Sequence, residues 1–151
     1  MEKNIITESN SLYREADLQR LRGMRLLDDD FMTKIFDSHP ECIELVLQII
    51  LEKPDLKVNK VKTQVFVENL VKRSVRLDVL ATDASGKKYN AEVQRIDKGA
   101  GRKRARYNSS MIDINVLDKG KDFEDLPETY VIFITENDVL KAGFPVYHIE
   151  R

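Results

Sequence analysis

The spacing of hydrophobic and polar positions changes several times along the chain, and each change marks an element. In residues 12–27 the apolar residues Leu12, Ala16, Leu18, Leu21 and Met24 recur at loosely helical spacing, with Gly23 weakening the end. Asp28-Asp29-Asp30 opens a second helix, where acids complement the positive end of the helix dipole, and Phe31, Ile35 and Phe36 mark one face. His39-Pro40 ends it, and Pro40 suits the first turn of the next helix. Residues 41–52 are apolar almost all round, which predicts a buried helix.

After the break at Lys53-Pro54-Asp55, residues 58–67 are rich in β-branched side chains and read as a strand. A polar turn at 69–74 leads into 75–94, two β-rich runs about an Asp-Ala-Ser-Gly-Lys turn, the pattern of a hairpin. Residues 102–117 return to helical spacing through Met111, Ile112, Ile114, Val116 and Leu117. The continuous apolar run 129–135 predicts a strand buried on both faces, parallel to one hairpin strand because a helix precedes it. Gly143-Phe144-Pro145 precedes a last short strand at 146–149. This order predicts an α/β fold with a mixed central sheet flanked by helices.

The hairpin carries the candidate chemistry. Asp78 lies on its first strand, Glu92 and Gln94 on its second. A two-residue loop, Ser85-Gly86, would put Asp78 opposite Val93 and turn Glu92 to the other face. A three-residue loop, Ala84-Ser85-Gly86, puts Asp78 opposite Glu92, with Gln94 on the same face. The second register is expected, because such loops want glycine in the left-handed conformation at their last position, where Gly86 stands. Directly opposed side chains have Cβ atoms about 4.5–5.5 Å apart. Two carboxylates that close repel unless positive charge lies between them. A hard divalent cation such as Mg²⁺ or Mn²⁺ takes one or two carboxylates and waters, and it can activate water against a phosphodiester. Arg76 and Lys88 are the alternative neutralising groups.

Composition narrows the classes. At 151 residues the chain is long enough for one domain with a real core. A single cysteine, Cys42, excludes an internal disulfide and any multi-cysteine metal site, and reads as a small core residue. No apolar run approaches the ~18 residues of a membrane span, and residues 1–10 are polar and lack a signal-peptide core, so the cytoplasm is the default. The formal net charge of −1 argues against a wholly basic nucleic-acid binder. Its distribution says more: residues 87–106 hold Lys87, Lys88, Arg95, Lys98, Arg102, Lys103, Arg104 and Arg106 against only Glu92 and Asp97. Such a patch attracts phosphates. Arg102 and Arg106 share one helix face, Lys103 and Tyr107 a neighbouring one.

Asp78, a turn, then Glu92-Val93-Gln94 resembles the Asp…Glu-x-Lys core of PD-(D/E)XK nucleases, with glutamine in the lysine place. Together with Arg76-Leu77-Asp78-Val79-Leu80, Tyr89-Asn90-Ala91 and Arg104-Ala105-Arg106-Tyr107-Asn108-Ser109, the pattern resembles the PD-(D/E)XK family transposases, also called recombination-promoting nucleases. The resemblance implies a restriction-endonuclease-like core whose central hairpin is catalytic. It divides the chain into an N-terminal arm or helix at 1–25 and a nuclease-like domain at 26–151, shorter at the C-terminus than its relatives.

It also implies a metal-dependent DNA endonuclease. Asp78, Glu92 and Gln94 would be catalytic, and Asp78, Glu92, the Val93 carbonyl and an acid of the first core helix, Asp30, would hold Mg²⁺ or Mn²⁺. Arg102, Lys103, Arg104, Arg106 and Tyr107 would contact the nucleic acid, DNA before RNA, with a homodimer conceivable. Glutamine cannot supply the charge that lysine brings to a transition state, but it can orient water or a phosphate oxygen. The alternatives are an inactive nucleic-acid-binding domain of the same fold and, behind it, a protein-interaction module using the helix at 41–52.

Overall fold

A computed structural model describes residues 14–20, 22–25, 28–95 and 99–150, with only the backbone of Asp29 and Asp30. Residues 14–20 and 22–23 are helical. The ordered framework then runs α1 (Asp29–Ser38), α2 (Pro40–Leu51), β1 (Val58–Val67), β2 (Val75–Asp83), β3 (Lys88–Gln94), α3 (Arg102–Val116) and β4 (Thr129–Thr135). The strands form one sheet in the order β1-β2-β3-β4. β1, β2 and β3 form an antiparallel meander, and β4 pairs parallel to β3. Parallel neighbours need a crossover, and α3 is that crossover.

The punctuation residues act as their chemistry dictates. His39 ends α1, its N–H bonding to the Ile35 carbonyl, and also precedes α2, whose first residue is Pro40. Glu52 closes α2 in the left-handed conformation, at φ 53°. The Glu44 carboxylate then accepts from Lys57 Nζ and the Val58 N–H, both at 2.9 Å, and so ties α2 to the start of β1. In the turn after β2 the Asp83 N–H bonds to the Lys87 carbonyl at 3.1 Å and Gly86 has φ 90°. That is the three-residue loop, and it sets Val79 opposite Ala91 and Thr82 opposite Lys88.

Helices cover both faces of the sheet. Met32 and Phe36 of α1 and Ile43 and Leu47 of α2 are buried against Val79, Ala81, Tyr89, Ala91, Val93 and Ile132. Met111 and Ile112 of α3 close a second cluster with Val67 and Leu77. Burying each such side chain is worth roughly 1.5–3 kcal/mol, so these two layers carry the fold. Leu77 and Val79 are two apart on one strand yet join different clusters. The side-chain alternation is therefore reset at Asp78, beside Gln64 of β1, which has φ 50°.

Three expectations need correction. α2 is not apolar all round in effect: Leu45 is 56% and Ile49 68% exposed, because the helix lies on the outside of a single sheet. β4 is not buried on both faces. It is an edge strand whose only buried residue is Ile132. Residues 146–149 form no strand. The Asp138 carboxylate instead accepts from the Leu140, Lys141 and Gly143 N–H groups and from the Tyr147 hydroxyl, which closes this segment into a loop.

Candidate active site

At the open end of the hairpin, backbone pairing gives way to side chains. The β2–β3 pairing ends at Val79–Ala91, and Asp78 and Glu92 are the next residues beyond it. Glu92 Oε1 accepts the Asp78 N–H at 3.2 Å, and Asp78 Oδ2 accepts the Val93 N–H at 3.1 Å. Each carboxylate thus reaches across to the backbone of the other strand. Along β3, backbone groups alternate in direction. The Gln94 carbonyl accepts from Glu136 on the β4 side, and the Val93 N–H points to β2, so the Val93 carbonyl also faces β2.

Glu92 is fully buried, and α3 supplies its polar surroundings. Arg104 Nη2 donates to Glu92 Oε2 at 2.8 Å, while its Nη1 donates to Gln94 Oε1 at 3.2 Å and to the Gly99 carbonyl at 3.4 Å. The guanidinium also lies 5.7 Å from the centre of the Phe133 ring. Asn90 Nδ2 donates to Glu92 Oε1 at 2.9 Å and to the Val79 carbonyl at 3.2 Å, and its Oδ1 accepts from Asn108 Nδ2 at 3.3 Å. Both asparagines are buried. The chain Asn108–Asn90–Glu92–Arg104–Gln94 fixes the glutamate in place, since every buried polar group in it has a partner.

The electrostatic balance at Glu92 remains unfavourable despite these bonds. Burial holds its carboxyl above the usual carboxylate range, and the charge of Asp78 pushes the same way. The hydrogen bonds from Asn90 and the Asp78 N–H, with the charge of Arg104, offset this only in part. A site of this kind suits a further cation. Two carboxylates on neighbouring strands and a carbonyl aimed between those strands match the all-oxygen donor set of a hard divalent ion, which fills the rest of its shell with water. Among the described residues no third carboxylate, histidine or cysteine joins the pair as a metal-binding group.

The other sequence candidates are placed as follows. Arg104 turns inward onto Glu92 and Gln94. Arg102, Lys103 and Arg106 stay exposed on the first turns of α3. The Tyr107 hydroxyl donates to the Arg73 carbonyl and anchors the β1–β2 loop. The Asp30 side chain lies outside the described residues. Its neighbour Asp28 pairs with Arg25 and with Arg95, at 3.8 and 3.3 Å. Arg76 is exposed, and Lys88 donates to Thr82 Oγ1, so of these three basic residues it is Arg104 that pairs with Glu92.

Sequence reasoning missed Asn90, Asn108 and Gly99. Asn108 carried a signal: Arg104, Asn108, Met111 and Ile112 recur at one-face helical spacing, so the buried stripe of the helix continues into polar residues. Gly99 reads as a loose lead-in to α3, but a Cβ there would lie 1.8 Å from Gln94 Oε1 and 2.8 Å from Arg104 Nη1. Glycine leaves that space to the ends of the two side chains.

No curated protein and no solved structure matches the chain. The family model of the PD-(D/E)XK nuclease family transposases matches residues 40–148, a span that takes in α2, all four strands and α3. The chain therefore belongs to the PD-(D/E)XK nuclease family transposases.

Proposed function

We propose that the chain hydrolyses phosphodiester bonds in DNA with the help of a divalent cation, Mg²⁺ or Mn²⁺, at Asp78 and Glu92, and that it serves a recombination-associated role. The observation that carries this reading is the acid pair itself: two carboxylates on neighbouring strands, each bonded to the backbone of the other strand, with the buried Glu92 held above the usual carboxylate range by burial and by Asp78. Nucleases of this family act on nucleic acid and generally use divalent metals, which supports the same reading. The cation, when bound, supplies an activated water and polarises a phosphoryl oxygen. Asp78, Glu92 and the Val93 carbonyl hold it. Gln94 orients a water or a phosphate oxygen through its amide, and Arg104 fixes both Glu92 and Gln94 for that purpose. The exposed Arg102, Lys103 and Arg106 hold the nucleic-acid backbone through forked and point-charge contacts.

A second reading is an inactive nucleic-acid-binding domain. It is favoured by the seat of Arg104 on Glu92 Oε2, where a guanidinium already supplies part of the missing charge. A plasmid-nicking assay with Mg²⁺ or Mn²⁺, comparing the wild type with Glu92→Ala, separates the two. Nicking by the wild type that disappears in the variant and in chelator supports hydrolysis. Equal nicking by both removes this site. Salt-dependent binding that persists in chelator, with no nicking at all, selects the inactive domain.

A further inference from the structure

Three lysines on the α3 face of the sheet lack the acids that their neighbours have. Lys57 pairs with Glu44 and Lys87 with Glu128. Among the described residues Lys60, Lys62 and Lys88 pair with no acid. Lys60 stands opposite Thr82, Lys62 opposite Leu80, and Thr82 is in turn opposite Lys88. Leu80 packs toward Met111 and Ile112 of α3, so Thr82 and the three lysines share that face. Adjacent strands are about 4.8 Å apart, so the backbones of Lys60 and Lys88 lie about 10 Å apart on either side of Thr82. Lys88 Nζ donates to the Thr82 hydroxyl at 3.0 Å, and that hydroxyl keeps its own proton to donate. The Lys88 ammonium is held below the usual lysine value, first by burial and then by the charges of Lys60 and Lys62. Three like charges on one face disfavour the free protein and favour an anion between them.

The three side chains line a groove of about 270 Å³ together with Asn115 and Val116, at the C-terminus of α3, and no acid lines it. A helix C-terminus carries about −0.5 of an elementary charge, well short of three ammonium groups. The balance must come from solvent ions or from a ligand. A carboxylate brings a single charge. A phosphoryl group brings about −1.5 to −2 at neutral pH and three strong acceptor oxygens. Three ammonium donors and one hydroxyl suit oxygens of that kind, and lysine binds phosphate as a point charge, without the fixed fork of arginine. The groove lies toward the turn end of the hairpin, since Thr82 is four residues, about 13 Å along β2, from Asp78. It is a site apart from the acid pair, and its chemistry needs no metal.

We propose that Lys60, Lys62, Lys88 and Thr82 form a binding site for phosphate oxyanions, drawn either from a free polyphosphate group or from a nucleic-acid backbone. The probe is inorganic tripolyphosphate, titrated by calorimetry in EDTA, where no metal links the anion to Asp78 and Glu92. The outcome is therefore independent of hydrolysis. K60Q/K62Q removes two charges from the groove at exposed positions, and K57Q/K87Q removes two charges from lysines that already have acids. Circular dichroism checks that both variants fold. The expected result is an affinity lower by at least about tenfold in K60Q/K62Q, the scale of losing hydrogen bonds from charged donors, and near the wild type in K57Q/K87Q. Absence of binding to the wild type, or equal affinity for the wild type and K60Q/K62Q, overturns the site. Equal losses in the two double variants also overturn it, because net charge alone would then hold the anion. Anisotropy of a labelled 15-base-pair duplex, again in EDTA, names the source. A log–log salt slope smaller by ~1.8 in K60Q/K62Q, or ~0.9 for each phosphate contact, assigns the site to the nucleic-acid backbone. An unchanged slope, with tripolyphosphate binding lost, assigns it to a free phosphate-bearing anion.

Discussion

The two ends of the β2–β3 hairpin both carry acids, set in opposite environments. At the turn, Asp83 Oδ1 accepts from the Ser85 N–H, the Ser85 hydroxyl and the Lys87 N–H, and Oδ2 accepts from the Tyr89 hydroxyl. Burial opposes its charge, but together these donors outweigh burial and hold its carboxyl below the usual aspartate range. The same bond pushes the Tyr89 hydroxyl up, with burial the larger cause. At the open end, Glu92 has donors too, yet burial and Asp78 win, and its carboxyl is held above the usual range. One acid is placed where it holds a turn together. The other has its hydrogen bonds made, but burial and a like charge still oppose its ionisation. Perturbation of the second kind, with a like charge nearby, clusters at functional sites, and it is the reason the proposed site is put at this end.

The largest expected effect separates the ends most sharply. Glu92→Gln keeps an oxygen for the Asp78 N–H and removes a buried charge. Metal-dependent nicking should fall by about 10²–10⁴-fold, the range for loss of an essential catalytic group. The melting temperature in chelator should hold or rise. A variant that lost activity only by unfolding would break the contrast, and thermal melts beside the nicking assay show which has happened.

Asp83→Ala should do the reverse. It strips a shared acceptor from four donors at the turn. The expected loss is about 1–3 kcal/mol, mostly the cost of leaving the buried Tyr89 hydroxyl and the half-buried Lys87 N–H unmet, since Ser85 is exposed to water. For a chain of this size that lowers the melting temperature by roughly 2–4 °C per kcal/mol. Turnover per folded molecule should not change. A drop in turnover with an unchanged melting curve would mean that the turn serves the site and not the fold.

The difference between the ends also explains what the sequence disclosed. The register was legible because one residue, Gly86, favours one loop length, and loop length fixes which side chains oppose. The strand β4 was legible as a strand but not as an edge, since a run such as Tyr130-Val131-Ile132-Phe133 looks the same in either place. Which arginine of the basic run turns inward was not read from charge, because Arg102, Arg104 and Arg106 are alike in composition. Only the spacing of Arg104 to Asn108 and Met111 distinguishes it. The role of Asn90 was hidden for another reason. An asparagine inside a strand reads as a poor strand former until its partners, Glu92 and Asn108, are seen in space.

A smaller effect sharpens the open end by a steric route. Gly99→Ala adds one methyl where Gln94 Oε1 and Arg104 Nη1 now lie. Both are ends of flexible side chains, so they move and the backbone stays. The clamp on Glu92 loosens without loss of the glutamate. Nicking should fall by about tenfold, from the misplacement of positioned groups, with little change in the melting temperature. An unaltered rate would show that Gln94 and Arg104 are structural bystanders. Gln94→Ala and R104Q, assayed in parallel, would then also be near wild type.

The smallest effect is a limb of the pH dependence of stability, and its sign follows from Asp83 alone. The carboxyl of Asp83 is held below its ordinary value in the folded chain, so the folded state releases its proton more readily than the unfolded chain does. Linkage makes its contribution fully present above the unfolded aspartate value, near ~3.9, and lost as pH falls through the folded value. Asp83→Asn keeps one oxygen acceptor and abolishes the titration. The wild type should therefore be the more stable of the two near neutral pH, and the gap between their melting temperatures should narrow as pH falls below about 4. Melts in a common buffer from pH 7 to pH 3 measure that gap. A gap that stays constant would mean that hydrogen-bond geometry, and not the charge on Asp83, is what closes the turn.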